Sequence, residues 1–177
     1  NRLLFDQKLF ITLIVSNAIL LIFDTLMVVF DGMGGQGYRI LLYISTFVYY
    51  IFNTLISMFW YMYIHYYIYR NKPALMKQLS YISIPFFIVC ILTVLSLFGN
   101  YAFYIDSNNI YHRGRYFILI TILSYLYIVF SYILLFIKRR SMKRKEFLTL
   151  LLFAIPAIIG GVIQVIIYGI TLLWICT

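Results

Sequence analysis

Long apolar runs separated by short polar breaks organise this chain. A helix crosses the hydrocarbon of a bilayer with about 20 residues. Five runs meet that length: residues 9–30, 40–68, 79–98, 116–137 and 147–175. The pattern predicts an all-α fold, a polytopic helical membrane bundle that forms one membrane-embedded domain over residues 1–177. The second and fifth runs exceed a single span, so they are expected to tilt or to project beyond the membrane. Between the runs, Gly32, Gly34, Gly35 and Gly37 mark a tight first loop. Pro73 is read as the stop of the second helix. Residues 99–115 form a long polar loop, and residues 138–146 a basic one.

Composition agrees with a lipid environment. Of 177 residues, 64% are hydrophobic and 11% charged, against roughly a quarter charged in soluble domains. The net charge of +9 would suggest nucleic acid in a soluble chain. Here the cations sit in the breaks, where they act as topology signals and contacts to anionic lipid, so no nucleic-acid partner is expected. With the N-terminus in the cytoplasm, the inner segments hold Arg2, Lys8, Arg70, Lys72, Lys77, Lys138, Arg139, Arg140, Lys143, Arg144 and Lys145. The outer segments hold only Arg39, Arg113 and Arg115. This asymmetry orients the chain with its N-terminus inside. Tyr61, Tyr63, Tyr66, Tyr67 and Tyr69 then form an aromatic belt at the inner interface.

Polar residues within the runs carry the most information, because an aspartate at mid-helix costs about 2.5–3.5 kcal/mol on insertion scales. Asn17, Asp24 and Asp31 recur every seven residues, which places them on one helix face expected to point into the bundle. Tyr49 or Tyr50, Asn53, Ser57 and Trp60 share a face of the second helix. Pro156, Gly160, Gln164 and Tyr168 share one on the fifth, where Pro156 can kink the helix and Gly160 and Gly161 permit close approach. At 1.5 Å per residue, Asn17, Asn53 and Gln164 fall near the midplane, and Asp24 and Tyr168 nearer the outer surface. Together these stripes outline a ligand cavity open to the outside, lined by Asp24, Asn53, Gln164 and Tyr168. Asn17, Ser57, Ser124 and Ser131 read as interhelical hydrogen-bonding residues. Asn53 and Gln164 fit either role, and Asp24 reads as functional.

The outer loop from Tyr104 to Arg115 is rich in hydrogen-bonding side chains. It could cap the cavity, with Arg113 or Arg115 meeting an anionic ligand, or lie solvated with its arginines on lipid head groups. His112 in that loop could respond to pH. No metalloprotease, nucleophile-elbow, phosphate-loop or CxxC motif occurs, and Cys90 and Cys176 lack metal or redox spacing. No catalytic site, metal or cofactor is expected, and any enzymatic activity would reside outside this segment.

Three patches carry a resemblance: Phe23-Asp24-Thr25-Leu26 through Phe30-Asp31-Gly32, the Tyr104–Gly114 loop, and Gln164, Tyr168-Gly169 and Trp174. They resemble the N-terminal membrane region of clostridial GGDEF-type diguanylate cyclases and related signalling proteins. That resemblance implies an input role, with a helix leading to a cytoplasmic output domain and no particular ligand. The chain begins at Asn1 and stops at Thr177 directly after a hydrophobic run, so a longer parent chain with a sixth helix is expected. The resulting expectation is a sensory input module in a bacterial plasma membrane. It would bind an extracytoplasmic small molecule, pair as a homodimer and signal to an output domain of the GGDEF type. The alternative is the substrate-binding subunit of a vitamin-type transporter, complete in about six helices. A purely structural membrane anchor is a third reading.

Overall fold

A computed structural model describes residues 4–152 together with Ile155 and Ile159. Its elements are α1 (Phe5–Phe30), α2 (Gln36–Tyr69), α3 (Lys72–Ile82), α4 (Ile84–Leu95), β1 (Phe103–Ile105), β2 (Tyr111–Arg113) and α5 (Phe117–Ile137). A 3-10 turn at Arg139–Ser141 follows, and residues 144–152 are again helical. Among the described residues, four helical stretches are long and apolar enough to cross a membrane: α1, α2, the Lys72–Leu95 stretch that joins α3 to α4, and α5. The chain is therefore an all-α, multi-pass membrane protein. Most of the fifth run, with Pro156, Gly160, Gln164 and Tyr168, lies outside the described residues.

The third span departs from the sequence expectation at both its start and its middle. Pro73 does not end α2. That helix stops at Tyr69, where Arg70 adopts a left-handed conformation with φ 50°. Asn71 then caps α3, its Oδ1 accepting the Ala74 amide at 3.0 Å. Pro73 sits in the first turn, where its missing N–H would have had no partner anyway. The helix thus begins at Lys72 rather than at residue 79. It breaks at Ser83, because Pro85 lacks a donor and its ring crowds the carbonyl four residues back. In lipid the freed backbone groups must find partners. Tyr127 of α5 supplies both: its hydroxyl donates to the Ile82 carbonyl at 2.5 Å and accepts the Phe86 amide at 3.2 Å.

The second helix is the axis of the bundle. At 34 residues it spans about 51 Å, well beyond the roughly 30 Å hydrocarbon layer. Residues Leu9, Leu13, Ser16, Leu20, Asp24 and Met27 of α1 recur every three or four positions and are all buried against the bundle. Ring pairs fix the antiparallel register of α1 and α2: Phe5 with Tyr66 at 4.7 Å at one end, Phe30 with Tyr38 at 6.0 Å at the other. Leu20 packs in one cluster with Tyr49, Tyr50, Val89, Phe103 and Ile120, which brings α1, α2, α4, the hairpin and α5 together. The hydroxyls of Thr54 and Ser124, both buried, meet at 2.7 Å and tie α2 to α5. Ser57 and Ser131, expected to bond between helices, instead donate to Asn53 and Tyr127 carbonyls of their own helices.

The ends of the bundle group the loops as the charge pattern requires. At one end Arg70 pairs with Asp6 at 2.8 Å and lies over the Tyr67 ring at 4.9 Å. Lys72 sits over Phe5 at 4.9 Å, and Lys138 over Tyr69 at 5.5 Å. The N-terminal segment, the α2–α3 turn and the basic run therefore share one face, and the tyrosine belt lies there. The α1–α2 loop meets the β1–β2 hairpin at the opposite face.

Candidate functional site

The long polar loop contains an antiparallel β-hairpin, which the hydropathy pattern alone does not show. Phe103 pairs with Arg113, Tyr104 with His112, and Ile105 with Tyr111. Alternation does the rest. Phe103 and Ile105 are buried toward the bundle, while Tyr104 and His112 stack on the other face with rings 5.0 Å apart. Asp106 organises the turn. Its Oδ1 accepts the amides of Asn108 at 2.8 Å and Ile110 at 2.9 Å, and its Oδ2 lies 3.0 Å from His112 Nε2. The Ile110 amide first, then His112, hold this carboxyl below the usual carboxylate range. The strand leaves the hairpin through Gly114, whose amide donates to the Ala102 carbonyl at 2.8 Å. A Cβ at Gly114 would overlap the Tyr101 carbonyl oxygen, so only glycine fits this crossing.

The hairpin is a roof tied to its neighbours by directional bonds. Asn109, in a left-handed conformation with φ 61°, donates through Nδ2 to the Met33 carbonyl at 2.7 Å and the Gly35 carbonyl at 3.2 Å. Its own carbonyl accepts the Gly32 amide at 2.8 Å. Asp31 Oδ1 accepts the Tyr111 amide at 2.7 Å. Arg39 donates to the carbonyls of Asp106 at 3.0 Å and Ile105 at 3.1 Å. Below, the Tyr50 ring stacks on Phe103 at 5.6 Å, and its hydroxyl meets that of Tyr111 at 2.6 Å. Asp31 thus departs from expectation: it is exposed at the end of α1 and holds the hairpin rather than facing the bundle interior.

Asp24 is 1% exposed. Leu20 on one side of it packs with Tyr49 and Phe103, and Met27 on the other with Leu42 and Ile105. These pairings set Asp24 at the level of Ser45, one to two turns beneath the hairpin. The α2 hydroxyls at that level are already committed: Ser45 donates to the Leu41 carbonyl and Thr46 to the Leu42 carbonyl, both at 2.7 Å. Among the described residues, no donor reaches Asp24 Oδ1. A buried carboxyl oxygen without a donor is costly in an apolar interior, and the arrangement offers a strong acceptor to any cation or hydrogen-bond donor that arrives.

The other sequence candidates scatter. Asn17 and Asn53 are half-buried, and the α1–α2 register puts them at one level, deeper than Asp24. Arg113 is half-buried with its guanidinium 4.4 Å from the centre of the Phe117 ring, and Arg115 is exposed and 5.8 Å from that of Tyr116. Both flank the hairpin at the start of α5, one to either side of Gly114. Gln164 and Tyr168 lie outside the described residues. Sequence reasoning placed Tyr50 on a polar helix face and Asp106 and Asn109 in a loop that could cap the cavity, but gave none of the three its part in building and seating the roof. The Asp106–Asn109 stretch between Ile105 and Ile110, a turn signal between apolar positions, could have revealed the hairpin. Among the described residues no cluster of His, Cys, Asp or Glu could hold a metal ion. No family model, no curated protein and no solved structure matches this chain.

Proposed function

We propose that this chain is a sensory input module of a bacterial plasma membrane, with its N-terminus in the cytoplasm, that takes a small molecule from the outer side and signals to a cytoplasmic output domain. Asp24 carries the proposal: a carboxyl buried in a membrane helix, without a donor among the described residues, beneath a hydrogen-bonded roof. Intramembrane carboxylates mark functional sites by default. A ligand with a cationic or donor group would complete Asp24. It would bias the helices only by binding one arrangement better than another.

The test is a thermal-shift screen of the purified protein against amines, amino acids and other donor-rich metabolites, run in parallel on Asp24→Asn. A true ligand at 100 times its Kd adds about 2.7 kcal/mol, which for a chain of this size shifts Tm by roughly 5–10 °C. That shift should be absent in Asp24→Asn, whose own Tm should stay near the wild-type value. A ligand that protects both proteins equally would remove Asp24 from the site. Accumulation of the ligand inside proteoliposomes would favour transport over sensing.

A further inference from the structure

We propose that the turn between α5 and the helix at residues 144–152 is a binding site for the phosphate of an anionic phospholipid, independent of the Asp24 site. A groove of about 360 Å³ opens there, lined by Arg139, Met142, Arg144, Phe147 and Leu148. Its two guanidiniums come from different elements, Arg139 from the 3-10 turn and Arg144 from the start of the helix. Its floor is apolar. Phe147 is buried beneath, with Arg139 5.8 Å from its ring centre, and Leu148 is 42% exposed.

The charge arrangement asks for an anion. Lys138, Arg139 and Arg140 follow the C-terminal end of α5, where cations complement the helix dipole. Lys143, Arg144 and Lys145 stand at the opposite kind of helix end. The Lys143 carbonyl accepts the first helical amide, from Phe147 at 3.0 Å. The next helix thus starts with three cations at its positive pole, which is unfavourable by itself. Glu146 is the sole acidic residue in this stretch, and among the described residues Arg144 has no ion pair. A phosphate between Arg139 and Arg144 would neutralise both and meet the open amides of the first turn.

The apolar surroundings point to a lipid rather than a free anion as the source. Phe136 is 56% exposed, Ile137 68% and Leu152 59%, so the groove continues into surface suited to acyl chains. A soluble phosphate would use the guanidiniums and leave this surface unused.

Native mass spectrometry of the purified chain tests the site, with phosphatidylglycerol, phosphatidylcholine and inorganic phosphate as separate probes. Phosphatidylglycerol should be retained as one preferred adduct. Removing two phosphate contacts in R139Q/R144Q should weaken that adduct by about tenfold or more. R140Q/K145Q removes the same charge outside the groove and should change retention by less than about twofold. Should R139Q/R144Q fail to fold, Arg144→Gln alone serves, because it leaves the packing of Arg139 on Phe147 intact. It should weaken retention several-fold. Equal losses in the two double variants would show a diffuse basic surface and overturn the site. So would equal retention of phosphatidylcholine, or binding of inorganic phosphate without preference for the lipid.

Discussion

Replacing Asn109 tests whether the roof is held by its side chain or by its backbone shape. The two contributions separate cleanly, because Asn109 is 6% exposed, donates two hydrogen bonds and sits at φ 61°. A neutral hydrogen bond contributes about 0.5–1.5 kcal/mol net. The 2.7 Å bond to Met33 should lie near the top of that range and the 3.2 Å bond to Gly35 near the bottom, giving about 1–2 kcal/mol together. Asn109→Gly loses these bonds but removes the Cβ, which relieves the left-handed backbone. Asn109→Ala loses the same bonds and keeps the Cβ that Asn109 already carries there, which costs about 1–2 kcal/mol relative to glycine in that conformation. The assay is hydrogen exchange of the Gly32 and Tyr111 amides, which the Asn109 and Asp31 contacts protect. Since about 1.4 kcal/mol is tenfold, Asn109→Ala should speed their exchange roughly tenfold, and Asn109→Gly by clearly less, because relief of the Cβ strain offsets part of the lost bonding. Unchanged exchange at Gly32 in both variants would refute the staple. Equal effects of glycine and alanine would refute the strain argument.

Three other outcomes follow from the same architecture. Gly114→Ala should disrupt the hairpin exit and lower Tm by several degrees, because its Cβ meets backbone that cannot move aside; a wild-type Tm would mean that the crossing is looser than described. The Asp106 carboxyl is held below its unfolded value, so its contribution to the hairpin is complete above the ordinary carboxylate range and is lost as pH falls through the lowered value. Exchange protection of the Asn108 and Ile110 amides should therefore fall on acidification in the wild type, and Asp106→Asn should flatten that dependence. Single cysteines at Arg140 and Ser107 should label from opposite sides of the membrane in a Cys90→Ser, Cys176→Ser background, with position 140 protected from an impermeant outer reagent; labelling of both from one side would break the topology.

The spans were legible because lipid imposes one strong rule, a continuous apolar stretch of sufficient length, and α1, α2 and α5 obey it with their ends shifted by a few residues. The break inside the third span was written in Pro85, but hydropathy averages over a single proline. Its repair by Tyr127 depends on a tertiary contact with no local signature. The burial of Asp24 was legible from cost alone, since few residues are so unwelcome against lipid. Asp31 misled because seven-residue spacing continues past the helix end, where the chain no longer follows helical geometry. The hairpin was hidden for a different reason. Its strands are three residues each, too short for a periodic signal, and its stability comes from bonds to a loop some 75 positions earlier in the sequence.

The two ends of the bundle are fastened by different kinds of contact, and this gives the molecule a stiffness gradient. At the hairpin end, bonds through Asn109, Asp31 and Arg39 have fixed directions and lengths, so the adjoining tips of α1 and α2 must move with the hairpin as one piece. At the basic end, guanidinium and ammonium groups rest on the faces of Tyr67, Tyr69 and Phe5, and the Arg70–Asp6 ion pair is partly open to solvent. Such contacts tolerate sliding across a ring at little cost. Small displacements beneath the roof would therefore be taken up as splay at the far end, with the hairpin as the fixed pivot and the basic turn as the moving arm.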